Sequence, residues 1–399
     1  MTERPVDSQV PATTFEARGL PERLRPLGEL PARRPETVDQ LGALLAEADG
    51  VLWPIGGGWH TPTSPPPTAT LLDMRGLDRI LGWDRESCVV AAQAGVSFGA
   101  LEAYVVERGA SLCGWRREHP EATIGGLLSA AQPVGHALWN GSAREACVAL
   151  SALDGQGRGY DALPAPRRSA GPDLRHLFIG AEGRFGVITA ASVGVSRAPV
   201  ERSLARIEGV APEVALKLLA DVAAAGLRAP NVIYSGEARE IQWWLEGEST
   251  GFMKAAIVSE IEALGLRVSL EPVEQGPPES WGFIRSGADP ISGRGQDARG
   301  AVSIWGPTRA LSTLPERCWK QAVVYDISAH QASVWLPAGS SAASLKGRRG
   351  ARVGWWGQEE VEAAHAPSGE VVLAGLGAIK AAMDPRGILP PVDGMGGAA

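Results

Sequence analysis

The residues able to do chemistry fall in three short runs in which glycines neighbour polar groups. Pro54-Ile-Gly-Gly-Gly-Trp-His60 sets three glycines directly behind the apolar run Val51 to Ile55. Amides that carry no side chain can converge on an anion such as a pyrophosphate. The same run also reads as an ordinary turn, in a chain with 50 glycines. No Lys-Ser/Thr follows it, and the G-x-G-x-x-G fingerprint is missing here, which excludes a triphosphate loop and a dinucleotide turn at this place. Glu121-Ala-Thr123-Ile-Gly125-Gly126 offers a hydroxyl and a glycine pair that lets backbone approach a flat ligand, or simply a helix start. Gly180-Ala-Glu-Gly183-Arg-Phe-Gly186-Val187-Ile188-Thr189 places glycine turns before a buried strand, the pattern of a helix–loop–strand junction.

The elements that must position these runs interleave. Thr37 caps a predicted helix to Ala48, with Val38, Leu41 and Leu45 at helical spacing. Val51 to Ile55, Leu71 to Met74 and Cys88 to Ala92 read as strands, and Phe98 to Arg108 as a helix. Cys147 to Leu153 reads as a strand entering a hairpin at Asp154-Gly155, where the turn needs positive φ. After Pro199 the order is strand (Leu204 to Ile207), helix (Ala211 to Ala225), strands (Asn231 to Tyr234 and Gln242 to Leu245) and helix (Phe252 to Leu264), a split βαβ arrangement. A domain boundary is expected near residue 200, in a chain with an α/β or α+β signature.

Length and composition narrow the classes. At 399 residues, 44% hydrophobic and 21% charged, the chain is long enough for two or three domains with sizeable cores. The net charge of -7 argues against polyanionic partners, nucleic acid included. Cys88, Cys113, Cys147 and Cys318 form no C-x-x-C pair and are expected as reduced, mostly buried thiols. His60, His119, His136, His176, His330 and His365 include no pair at ligand spacing, so no metal is expected. No run approaches the roughly 18 apolar residues of a membrane span, and a cytoplasmic location is expected.

Taken in order, Gly56-Gly-Gly58, Leu72-Asp-Met74, Ala94-Gly-Val96, Thr123-Ile-Gly-Gly126, Asn140-Gly141-Ser142-Ala-Arg-Glu145 and Gly183-Arg-Phe-Gly186-Val-Ile-Thr189 resemble the FAD-binding domain of the vanillyl-alcohol oxidase / p-cresol methylhydroxylase superfamily. The closing Ile379-Lys380 to Asp384-Pro-Arg-Gly387-Ile-Leu-Pro390 is similar to that superfamily's last segment. Within it, the layout resembles the smaller FAD-binding subunit of bacterial glycolate oxidase. The resemblance implies an α+β, two-subdomain FAD-binding fold with a ferredoxin-like α+β cap. Its expected layout is a flexible N-terminal tail over 1–20, an FAD-binding domain over 21–200, a substrate or cap domain over 201–370, and a segment over 371–399 that returns to the FAD domain. It further implies that Gly56, Gly57, Gly58, Trp59 and His60 hold the FAD pyrophosphate, that Thr123, Gly125 and Gly126 lie by the pyrophosphate and flavin with Gly141 and Ser142 close by, and that Gly186, Val187 and Ile188 face the adenine half. Trp59 stands where covalent relatives have His, so noncovalent FAD is expected, with His60 one residue later as the other attachment point. This chain departs from the relatives in having Ile55 before the glycines, Glu145 after Arg144, and Pro172 before Asp173 where they have Tyr.

The implied reaction is oxidation of a small 2-hydroxy acid such as glycolate, with electrons passed to a partner or a diffusible acceptor. It needs a cation for the carboxylate and a base for the hydroxyl proton. Trp281-Gly-Phe-Ile-Arg285 resembles the Trp-x-x-x-Arg stretch of hydroxy-acid dehydrogenases, which makes Arg285 the candidate cation. His330 and Tyr325 are the candidate bases. Partner subunits carrying iron–sulfur or a second flavin would take the electrons onward. Two readings stay open beside this one: a noncatalytic FAD-binding subunit, and an oxidase of a larger apolar metabolite suggested by the 13 tryptophans.

Overall fold

The computed structural model describes residues 10–15, 27–58, 65–112, 120–130, 143–162, 164, 172–198, 200–224, 232–235, 238–246, 250–273, 301–306, 323–327, 332–337, 352–356 and 370–392. The first layer contains strands β1 (Ala12–Thr14) and β2 (Pro31–Arg33), helix α1 (Val38–Glu47), and strands β3 (Leu52–Ile55) and β4 (Thr70–Asp73), with sheet order β1-β2-β4-β3. Thr37 caps α1 as its sequence predicts, its Oγ1 accepting from the Gln40 N–H at 3.1 Å. Leu41 and Leu45, one turn apart, are both buried. β3 and β4 run parallel in the register Leu52↔Thr70 to Ile55↔Asp73, which ends both strands at the same edge.

Residues 12–14 fall inside the expected flexible tail, yet they pair antiparallel with β2. Phe15 is the reason: it is buried with Ile55, Leu71 and Ala32, and the Arg75 guanidinium lies 4.4 Å over its ring. The three strand residues before it are themselves exposed, so they carry no apolar pattern that would mark a strand.

The second layer follows: β5 (Ile80–Asp84), β6 (Val89–Gln93), α2 (Phe98–Val106), β7 (Ala110–Ser111), α3 (Ile124–Ala130), α4 (Ala143–Ala146), β8 (Cys147–Leu153), β9 (Gly159–Asp161), β10 (Val187–Gly194) and β11 (Ser196–Arg197). Its antiparallel sheet runs β5-β6-β10-β8-β9, and β7 pairs with β11. Leu101, Val105, Ile124 and Leu128 pack from α2 and α3 onto Val90, Ala92, Leu150 and Val193 of this sheet. In the β8–β9 hairpin the residue with positive φ is Gly157, at 76°, and not Gly155. Asp154 organises that turn, its carboxylate accepting from the N–H groups of Gln156 and Arg158 at 2.9 Å each.

Beyond residue 200 come β12 (Arg202–Glu208), α5 (Pro212–Ala224), β13 (Val232–Ser235), β14 (Glu240–Glu246), α6 (Thr250–Ala263), β15 (Val268–Pro272), β16 (Ala301–Gly306), β17 (Val323–Ile327), β18 (Ala332–Pro337) and β19 (Arg352–Trp356). The sheet order β15-β12-β14-β13 is that of a ferredoxin-like unit, and β17-β18-β16-β19 extend it to eight strands. Trp243 and Trp244 are both buried in this sheet. Cys147 is buried as expected, whereas Cys88 is exposed, in the β5–β6 turn at φ 52°.

The last helix, α7 (Glu370–Met383), leads into a segment bound to the first two layers. The Leu52 N–H donates to the Ile388 carbonyl at 2.6 Å, and Ile388 and Leu389 join Leu45, Leu72 and Leu153 in one core cluster. The Lys380 ammonium donates to Asp384 at 2.6 Å and to the carbonyls of Arg184, Leu389 and Pro390. Burial lowers the Lys380 pKa below its ordinary value, against the pull of Asp384.

Candidate functional site

Strand β3 delivers Gly56, Gly57 and Gly58 to the wall of a cleft. Its other walls are Met74, Ala94, Ala122 and Thr123 with one face of α3, and most of the loop from Glu182 to Ile188. Of the residues expected by the glycine run and its two companions, Gly56, Gly57, Gly58, Thr123, Gly125, Gly126, Gly186, Val187 and Ile188 all line this one cleft. Trp59, His60, Gly141 and Ser142 lie outside the described residues, as do Arg285 and His330. Tyr325 is a residue of β17, paired with Ile233 of β13.

The walls are held by backbone hydrogen bonds that explain their sequence. Ile124 and Gly125 donate to the Val96 and Ala94 carbonyls at 3.0 and 2.8 Å, and Gly180 and Glu182 donate to Leu128 and Ser129 at 3.0 Å each. Helix α3 is thus tied between the loop after β6 and the loop before β10. A Cβ on Gly125 would stand 2.7 Å from the Ala94 Cβ, so backbone meets backbone there without room for a side chain. A Cβ on Gly56 would fall 1.9 Å from the Thr123 Oγ1. The first glycine of the run is therefore required by the protein's own packing as well as by any ligand.

Ile55 is buried beside Phe15 and Leu71. The residue directly before the glycines is thus a core residue. Asp173 turns the chain into a short 3-10 helix and is bound by Arg175, whose Nε donates to it at 2.9 Å. That pairing holds the Asp173 carboxyl at about 2. Arg175 is buried and also donates to the Cys147 and Val148 carbonyls at 2.5 and 2.6 Å. Burial pushes the Cys147 thiol up to about 12, which leaves it without nucleophilic character at neutral pH.

Two residues that the sequence reading did not single out stand in the cleft wall. Glu182 has φ 52°, in the left-handed region that a residue with a side chain seldom adopts, and it is ion-paired with Arg184. Arg184 is buried. The signal available for them was the charged pair inside a glycine turn, Gly180-Ala-Glu-Gly-Arg-Phe-Gly186.

Residues 32–162 match the family model described as "FAD binding domain". That span holds β2 to β9 and two of the three cleft walls. Residues 32–162 carry an FAD-binding domain. It is 27% identical over 195 residues to the Uncharacterized FAD-linked oxidoreductase YgcU of Escherichia coli K12, covering 49% of this chain and 38% of that protein. Glycolate oxidase subunit GlcE of the same strain is 28% identical over 196 residues, 48% of this chain and 54% of that subunit. The chain thus spans less than two thirds of either relative. A solved structure of alkyldihydroxyacetonephosphate synthase superposes with a TM-score of 0.69 at 15% identity, covering 91% of this chain and 77% of that one, which bears on the fold.

The cleft fits FAD on its own evidence. Gly58 is buried at φ 78°, and neither its N–H nor that of Gly57 donates to a described residue. Amides in that state favour an anionic oxygen as partner, and the FAD diphosphate supplies one. Among the described residues, no group of three or more His, Cys, Asp or Glu is arranged to hold a metal ion, and no helix is long and apolar enough to cross a membrane.

Proposed function

We propose that this protein is an FAD-dependent dehydrogenase of a small 2-hydroxy acid such as glycolate, working with a partner that removes the electrons. The observation that carries the reading is the convergence of three separate glycine runs on one cleft of an FAD-binding domain. In it Gly56 to Gly58, with Trp59 and His60, bind the diphosphate noncovalently. Thr123, Gly125, Gly126, Gly141 and Ser142 border the diphosphate and flavin, and Gly186, Val187 and Ile188 border the adenine half. FAD, when bound, supplies the two-electron acceptor. Residues 201–370 act as the substrate domain, and 371–399 close back on the FAD domain.

Oxidation removes the α C–H as a hydride and the hydroxyl proton, leaving the 2-oxo acid. Arg285 grips the carboxylate through its planar fork, and His330 or Tyr325 takes the proton. The likeness to a subunit of glycolate oxidase supports the substrate class and a partner subunit, which in this reading carries iron–sulfur or a second flavin. A noncatalytic FAD-binding subunit is the second reading. What favours it is Ile55, a core residue directly before the glycines, and Pro172 where relatives have Tyr.

Anaerobic mixing of the FAD-loaded protein with glycolate or lactate tests the reading, with and without an added electron acceptor. Wild type should bleach. Arg285→Ala should lose on the order of 2–4 kcal/mol of transition-state stabilisation, and Arg285→Lys nearly as much, because an ammonium cannot reproduce two parallel bonds. Both variants should keep their FAD. Variants that match wild type remove Arg285 from the mechanism. A wild type that no hydroxy acid reduces moves the noncatalytic reading to the front.

A further inference from the structure

Arg184 occupies a place where the cofactor cleft and the C-terminal segment meet. Its side chain is only 5% exposed. Nε donates to the Pro391 carbonyl at 3.0 Å, and Nη1 donates to the Ala181 carbonyl at 3.4 Å and to the Glu182 carboxylate. Nη2 donates to no described residue, and Arg184 is one of the residues that line the cleft. The Arg184 carbonyl in turn accepts from the Lys380 ammonium at 2.8 Å. The loop also abuts the strand that leads into the glycine run, for a Cβ on Gly183 would stand 3.2 Å from the Pro54 Cγ. Arg184 is a cleft-lining residue whose Nη2 is unspent among the described residues, so it has N–H donors to offer a ligand in the cleft.

We infer that Arg184 is a ligand of the FAD diphosphate and that its contacts to Pro391 and Lys380 couple cofactor occupancy to docking of residues 370–392. The inference rests on the cleft being the FAD site. The diphosphate is the anionic part of FAD, and a charge-assisted bond to it is the strongest use of the spare donor. Glu182 holds the guanidinium in place and at the same time brings a carboxylate to the cleft, so it orients the donor and tempers its charge. The linkage is reciprocal: a ligand that fixes Arg184 stabilises the segment bonded to Arg184, and loosening that segment weakens the ligand.

Calorimetric titration of the full-length apoprotein with FAD, ADP, adenosine and riboflavin separates the parts of the cofactor. Arg184→Met should weaken FAD and ADP by a common factor, on the order of ten- to a hundredfold, and leave adenosine and riboflavin unchanged. Glu182→Gln keeps an acceptor for Nη1 but removes a negative charge, and should tighten ADP. Hydrogen exchange of 370–392 should slow when FAD is added to wild type and respond less in Arg184→Met at saturating FAD. Should Arg184→Met fail to fold by circular dichroism, Arg184→Lys, which keeps a charge but loses the fork, replaces it with the same expected direction. Unchanged ADP affinity in these variants overturns the ligand role, and exchange that ignores FAD overturns the coupling. A wild type that binds neither FAD nor ADP would instead remove the FAD site itself.

Discussion

Gly56→Ala places a methyl 1.9 Å from the Thr123 Oγ1, and 3.0 and 3.1 Å from the Thr123 Cβ and Cγ2. The first of these is short of ordinary contact by roughly 1.5 Å, more than side-chain relaxation alone absorbs where Thr123 is 2% exposed. Thr123 is also engaged, its Oγ1 accepting from the Gly126 N–H at 3.3 Å and its carbonyl accepting from the Leu127 N–H at 2.9 Å. Overpacking of this kind costs about 1–3 kcal/mol. Thr123→Ala removes the two nearest obstacles other than Cβ, so the double variant should recover part of the loss, with a coupling of about 0.5–2 kcal/mol. Urea unfolding of the apoprotein, wild type, both singles and the double, reads the four corners of the cycle. Titration with FAD follows, because the same displacement distorts two cleft walls. Additive effects in the unfolding cycle would refute the argument that Gly56 is fixed by Thr123.

Asp173 contributes stability that is complete above its ordinary value of 3.8 and is lost as the pH falls through about 2, since the Arg175 pairing lowers the carboxyl in the folded state. Acid unfolding of wild type should therefore show a loss of about 1–2 kcal/mol over that window, after allowance for partial solvent screening, which Asp173→Asn lacks. Gly155→Val should detach the C-terminal segment, because a Cβ there stands 2.5 Å from the Oδ1 of Asp384, whose carboxylate Lys380 and two backbone amides hold still. Faster proteolysis within 370–392 with an intact β8–β10 sheet would confirm it, and wild-type protection would refute it.

What the sequence made legible was whatever local chemistry decides. The Thr37 cap, the burial of Leu41 and Leu45, the strand running into Gly56 and the split βαβ order after residue 200 each rest on a short pattern that tertiary context leaves alone. The convergence of Gly57, Gly126 and Gly186 on one cleft was reached through the order of several motifs, since each run alone also describes an ordinary turn. Strand β1 was hidden because its three residues are exposed and only Phe15 behind them is buried. The hairpin after Leu153 places its positive φ at Gly157 because the Asp154 side chain organises the turn, a choice that the Asp-Gly pair does not disclose. Gly155 is glycine because Asp384, 229 positions away by numbering, packs against it, and nothing near it in sequence carries that fact. Arg184 was passed over for the same reason: its partners Pro391 and Lys380 arrive from the far end of the chain.

The FAD content of the purified full-length chain, measured beside Gly57→Asp, tests the central claim most directly. Wild type should be yellow and release about one FAD per chain on acid or heat denaturation. Gly57→Asp sets a carboxylate where the cleft would receive the diphosphate, and it should take up none while keeping the far-ultraviolet spectrum of wild type. A colourless wild type that ignores added FAD, or a Gly57→Asp variant that retains a full complement, would contradict the account.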